Sequence, residues 1–135
     1  MEQSVSKLIL TVGLPRSGKS TWAQKMGQPI VSPDAIRLSL HGQVFIATAE
    51  PLVWAMARLM VASLFEAGHT VVILDACNAT QKRRDEWLDP RWFIETVNFT
   101  AAKETCIERA KAGREDLIPV IERMAGQIEW PEWHT

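Results

Sequence analysis

Gly13-Leu14-Pro15-Arg16-Ser17-Gly18-Lys19-Ser20 sets two glycines, a lysine and a hydroxyl at the spacing G-x-x-x-x-G-K-[ST], with Thr21 following. Residues of these types in this order can hold the phosphates of a nucleoside triphosphate. Gly13 and Gly18 let the main chain wrap closely around an anion where a Cβ would intrude. Lys19 can reach the β- and γ-phosphates, and the Ser20 hydroxyl can ligate Mg²⁺. Pro15, Arg16, Ser17 and Thr21 complete the candidate nucleotide-binding loop.

Further along the chain lie groups suited to the other half of a phosphoryl transfer. Asp34 and Arg37 are three apart in a helical pattern, so they share a face. Asp34 can accept or orient the proton of an attacking hydroxyl, and Arg37 can hold an anionic group on the acceptor. The same pair also reads as an acid stabilising a helix start with its i,i+3 ion-pair partner. Asp75 closes an apolar run, as an acid that supports Mg²⁺ or braces Ser20 would, or as a simple cap on the next loop. Asn78 orders that loop or orients a substrate there. Arg109 has no acid at i±3 or i±4, which leaves its charge free to cover bound triphosphate together with Arg114.

These residues need elements to position them. Leu8 to Val12 reads as a strand, and Ser20 to Met26 as the first turns of a helix. Strand, glycine loop and helix N-terminus together make an anion site, because free amides and the helix dipole point the same way. Residues 28–31 form a short second strand, and Ser32-Pro33-Asp34 is a helix start running to about Leu40. A loop covers 43–49, and a long helix from Pro51 to Ala67 is apolar around much of its circumference, which predicts heavy burial. Thr70 to Asp75 is the clearest strand, followed by a helix over 80–88, a strand over 92–99, and helices over 102–112 and 116–128. Strands alternating with helices predict an α/β fold with about four parallel strands, helices on both faces and a helical lid. Ligands of such sheets bind at the carboxyl ends of the strands, where the candidate residues fall.

Residues 1–135 read as one domain. Apolar residues are 47% and charged residues 23%, and the net charge of −1 excludes a global basic field for long nucleic acid. Cys77 and Cys106 have no metal-ligand spacing and suit a reducing compartment. The apolar run Pro51 to Phe65 is broken by Arg58 and too short for a bilayer, so a cytoplasmic protein without a membrane partner is expected. Trp130 and Trp133 pack the tail onto the core or stack on a base.

With these residues in place, the chain resembles the P-loop kinase-like family of small AAA-type proteins. The likeness within it is to the kinase domain of phage polynucleotide 5′-hydroxyl kinase. It rests on Leu8 to Trp22, on Asp34-x-x-Arg37, on Val71 to Asp75 with Asn78 and Arg83-Arg84 beyond, and on Arg109 with Arg114. The resemblance implies that Asp34 is the catalytic carboxylate facing the acceptor hydroxyl. It implies that Arg37 binds acceptor phosphate and that Arg109 and Arg114 grip the transferred phosphate. ATP, or another triphosphate, and Mg²⁺ are the implied cofactors. The implied acceptor is a hydroxyl, first a nucleic-acid or nucleoside 5′ end, with a small molecule or nucleotide sugar as the alternative. A nucleotide-binding protein that is not a kinase is the other reading. Two features depart from the family pattern: Ser-Pro-Asp-Ala-Ile-Arg is less polar, and Arg109 and Arg114 are five apart rather than four.

Overall fold

The computed structural model describes residues 5–42 and 45–131. Gln43 and Val44 of the expected 43–49 loop, and Trp133, lie outside the described residues. Four parallel strands form one sheet: β1 (Lys7–Gly13), β2 (Ile30–Val31), β3 (Val71–Leu74) and β4 (Phe93–Phe99), in the order β2-β3-β1-β4. Leu10 sits opposite Leu74 on one side and Thr96 on the other, while Val31 sits opposite Leu74. Among the described residues, six helices connect and cover the strands: α1 (Lys19–Met26), α2 (Pro33–His41), α3 (Glu50–Glu66), α4 (Gln81–Asp85), α5 (Lys103–Ala110) and α6 (Ile118–Gln127).

The continuous apolarity of β1 and β3 has the cause anticipated for it, burial on both faces. Leu8, Leu10, Val72 and Leu74 point to one face and pack with Val53, Ala57 and Val61 of α3, Ile36 of α2, and Trp87. Ile9 and Ile73 point to the other and pack with Ala23 of α1, Trp22 and Val97. A separate cluster of Leu14, Cys106, Ala110 and Ile121 ties α5 and α6 to the loop after β1.

The helix α3 departs from expectation. Only Val53, Ala57 and Val61 are buried, whereas Leu52, Leu59 and Met60 are exposed. One side of α3 closes over the sheet, and no further layer covers the opposite side among the described residues. With a 3₁₀ turn before it, Ala47–Glu66 makes 20 helical residues of mean hydropathy 1.2. That length and hydropathy would suffice to cross a membrane, while one narrow stripe of the segment, Val53, Ala57 and Val61, packs on β3 and β1. The last two helices are shorter than expected, because a 3₁₀ turn over Glu115–Leu117 separates α5 from α6.

Candidate active site

The loop between β1 and α1 is built for an anion. Gly18, at φ 103°, occupies the N-cap of α1, with no side chain capping the helix and no acid in its first turn. The first amides of α1 are therefore free for an incoming oxygen, and the dipole there is unopposed. Arg16 also takes a left-handed conformation, φ 68°, which is costly for a residue with a Cβ and typical of a loop held open for a ligand. Gly13 is needed for a different reason than the wrapping of phosphate. A Cβ on it would stand 2.8 Å from the Phe99 carbonyl oxygen and 2.8 Å from Ser17 Oγ, so the constraint is close approach to the end of β4.

Lys19 is buried, and its ammonium donates to the carbonyls of Gly13 (3.1 Å) and Leu14 (2.6 Å) and to Ser17 Oγ (3.4 Å). Ser20 Oγ donates to Asp75 Oδ2 at 2.7 Å, joining the start of α1 to the residue just past β3. Parallel pairing explains this meeting: β1 and β3 run side by side, so the segments that leave their carboxyl ends emerge at the same edge. No cluster of three metal-ligating side chains exists among the described residues. A hydroxyl and a carboxylate are nevertheless the hard oxygen pair that suits Mg²⁺, which keeps several waters and leans on substrate phosphates. The residues present fit that ion.

Arg16, Gly18, Lys19, Ser20, Thr21, Trp22, Lys25 and Arg109 line an open cleft of about 640 Å³ over this loop. Spacing alone does not single out Trp22 and Lys25, which lie one and four residues beyond Thr21 and also line the cleft. Arg109 Nη1 donates to the Arg16 carbonyl at 3.0 Å, and Arg16 Nη2 donates to the Arg109 carbonyl at 3.3 Å. Arg114, in contrast, pairs with Asp116 through Nε (3.1 Å) and Nη2 (3.2 Å), and contributes nothing to the lining of the cleft. Pro15 and Ser17 sit within the loop itself, Ser17 buried.

Asp34 follows β2, whose partner is β3, so it reaches the same sheet edge from the far side. The helix start is as anticipated: Ser32 Oγ accepts from the Ala35 amide at 3.1 Å, Pro33 opens the helix, and Asp34 stands in its first turn. The Asp34 side chain is 91% exposed and accepts from Arg37 Nη1 at 2.7 Å. The remaining edge of Arg37 is taken by Glu50, through Nε (2.9 Å) and Nη2 (2.6 Å). Sequence reasoning misses Glu50, because an acid in the first turn of a helix has a sufficient local explanation. The Arg37 guanidinium holds the Glu50 carboxyl below the ordinary glutamate range, and Glu50 in turn raises Arg37.

Cys77 lies between the two halves: the charges of Lys19, Asp34 and Asp75 all act on its thiol, which burial pushes up from its ordinary value. Asn78 does not face the cleft. Its side chain is buried and Nδ2 donates to the Thr11 carbonyl at 2.8 Å, tying the loop after β3 to β1. Arg84 is likewise buried, donating to the Asn78 carbonyl at 2.8 Å. Trp130, part exposed, lies with Gln81, Arg84 and Thr96 beside a second cavity, away from the phosphate loop.

The sequence pattern of the AAA domain family matches residues 8–120. No curated protein sequence matches the chain. Among solved structures it is similar to a chain of a Pnkp1/Rnl/Hen1 complex, with 25% identity and a TM-score of 0.72 over 81% of this chain and 40% of that one. A chain of the Pnkp1/Rnl/Hen1 RNA repair complex gives 18% identity and a TM-score of 0.73, over 95% of this chain and 48% of that one. A gluconokinase from Sinorhizobium meliloti 1021 gives 17% and 0.60, over 97% of this chain and 78% of that one. The chain thus spans less than half the length of the first two.

Proposed function

The chain belongs to the AAA domain family and has the P-loop kinase fold, and from that premise we propose that it is an ATP- and Mg²⁺-dependent kinase of hydroxyl acceptors. The observation that carries the proposal is the presence, at one sheet edge, of an uncapped phosphate loop and an exposed carboxylate held by an arginine. A protein that only binds or slowly hydrolyses a triphosphate would have little need for Asp34 and Arg37 at this end of the sheet. The resemblance makes a nucleoside or polynucleotide 5′-hydroxyl the first candidate acceptor, with a small molecule or nucleotide sugar as the second. In this reading residues 1–135 form a single P-loop kinase-like domain, with the cytoplasm as its expected location.

In this reading the loop amides and Lys19 hold the triphosphate, and Lys19 exchanges its carbonyl partners for phosphate oxygens. Asp34 orients the acceptor hydroxyl and takes its proton as the new oxygen–phosphorus bond forms. The bond between the γ-phosphorus and the bridging oxygen breaks, and the nucleoside diphosphate leaves with that electron pair. Such transfers are loose, so positioning matters more than basicity. Arg109 neutralises charge on the transferring group. Ser20 and Asp75 would hold Mg²⁺, which supplies charge neutralisation at the β- and γ-phosphates.

The test is incubation with γ-labelled ATP, Mg²⁺ and a panel of 5′-hydroxyl oligonucleotides, nucleosides, sugars, and water alone. Transfer of label to a hydroxyl compound is expected. Label recovered only as free phosphate, whatever the acceptor, would sink the kinase reading.

A further inference from the structure

Arg37 is the cation beside the candidate acceptor carboxylate, and its charge is matched twice. Glu50 grips Nε and Nη2 with both oxygens, at 2.9 and 2.6 Å, while Asp34 takes Nη1 at 2.7 Å. The Arg37–Glu50 pair is shielded from water, with side chains 19% and 17% exposed. Trp54 helps to seal it by donating Nε1 to Glu50 Oε1 at 3.3 Å, and the rings of Phe45 and Trp54 lie 5.7 and 5.9 Å from the guanidinium. Two carboxylates around one guanidinium leave the trio negative. Arg83, 4.5 Å above the Trp54 ring, shares Glu86 with Arg58. A phosphate arriving at Arg37 would meet a guanidinium whose Nε, Nη1 and Nη2 each already donate to a carboxylate.

We infer that Glu50 sets the charge class of the acceptor: by capturing Arg37 it turns that arginine into a strut for Asp34, so the site takes a hydroxyl compound with no phosphate beside the reacting hydroxyl. A nucleoside or small polyol fits that description and a polynucleotide end does not. The inference rests on the reading in which Asp34 faces the acceptor. Arg37 is then a positioning residue rather than an anion receptor. The arrangement is the reverse of what the resemblance implies for Arg37, and it comes from a partner that lies thirteen residues away.

The test uses the whole protein with its phosphate loop filled by a non-hydrolysable ATP analogue and Mg²⁺, so that added inorganic phosphate has only the acceptor side to occupy. The nitrogen-15 resonance of the Arg37 Nε–H group, identified by its loss in Arg37→Lys, reports phosphate at that guanidinium. In the wild type it is expected to stay in place throughout the titration. In Glu50→Gln, which keeps size and removes charge, it is expected to move and saturate with affinity at least about tenfold higher, the scale of a charge-assisted hydrogen bond. Glu50→Ala gives the same comparison if the glutamine variant does not fold. A wild-type signal that titrates with phosphate, or a variant that gains nothing, overturns the inference. The readout needs no turnover, so it fails or succeeds separately from the kinase assay.

Discussion

Arg16 and Arg109, 93 residues apart, each donate from the guanidinium to the other's main-chain carbonyl. Helix α5 is thereby latched onto the phosphate loop at the residue that takes the left-handed conformation. The latch holds the Arg109 side chain at the cleft wall before any nucleotide arrives.

Removing it should slow chemistry more than binding. Arg109→Ala is expected to lower kcat by about 10²–10³-fold, the scale of one lost oxyanion donor. Nucleotide affinity, read by tryptophan fluorescence, should change far less. Equal losses in kcat and affinity would place Arg109 in ground-state binding instead.

Ser20 and Asp75 share one hydrogen bond of 2.7 Å at the place suited to Mg²⁺. Asp75→Asn keeps the shape and removes the negative charge. The Mg²⁺ concentration for half-maximal transfer should rise by about 10–100-fold, as for other disturbed ligand sets. An unchanged Mg²⁺ titration would assign Asp75 to loop capping.

Asp34→Asn should retain nucleotide binding while cutting transfer by about 10²–10⁴-fold, the range for a positioned acid or base. Full activity on the true acceptor would move the acceptor site elsewhere.

Gly13→Ala tests packing rather than chemistry. The new methyl would crowd the Phe99 carbonyl and Ser17 Oγ, both 2.8 Å away and neither at the end of a long flexible chain. A loss of about 1–3 kcal/mol in urea unfolding is expected, typical of overpacking.

The Arg37–Glu50 pair makes stability depend on acid in a defined direction. Glu50 is depressed below its ordinary value of 4.5 by the Arg37 hydrogen bonds. A depressed carboxyl contributes stability that is complete above the ordinary value and is lost as pH falls through the lower folded one. The Tm advantage of wild type over Glu50→Gln should therefore be constant at neutral pH and shrink in acid. An advantage that persists undiminished at about pH 3 would assign it to packing, since an ordinary glutamate is protonated there.

What the sequence makes legible is what local rules write into it. The β-branched runs, the glycine spacing and the Ser32-Pro33 start are short-range signals, and β1, β3, α1 and α2 appear where they lead. The order β2-β3-β1-β4 is not local, since it depends on crossovers that no single segment records. Glu50 and its hold on Arg37 are hidden for the same reason. So is the depth of α3, because a helix apolar all round does not reveal which stripe will meet the sheet. Spacing leaves Asn78 open between two roles, and only the position of the Thr11 carbonyl separates them.

Lys19 has three ammonium hydrogens and, in this loop, three oxygens to receive them. The loop is thus its own competitive ligand: in the proposed reading, triphosphate would not fill a vacancy but win an exchange. Only an oxygen more strongly attractive than a carbonyl or a hydroxyl can draw the lysine out. On the proposed function, the loop would then filter for charge as well as shape, favouring anions over neutral molecules of the same size.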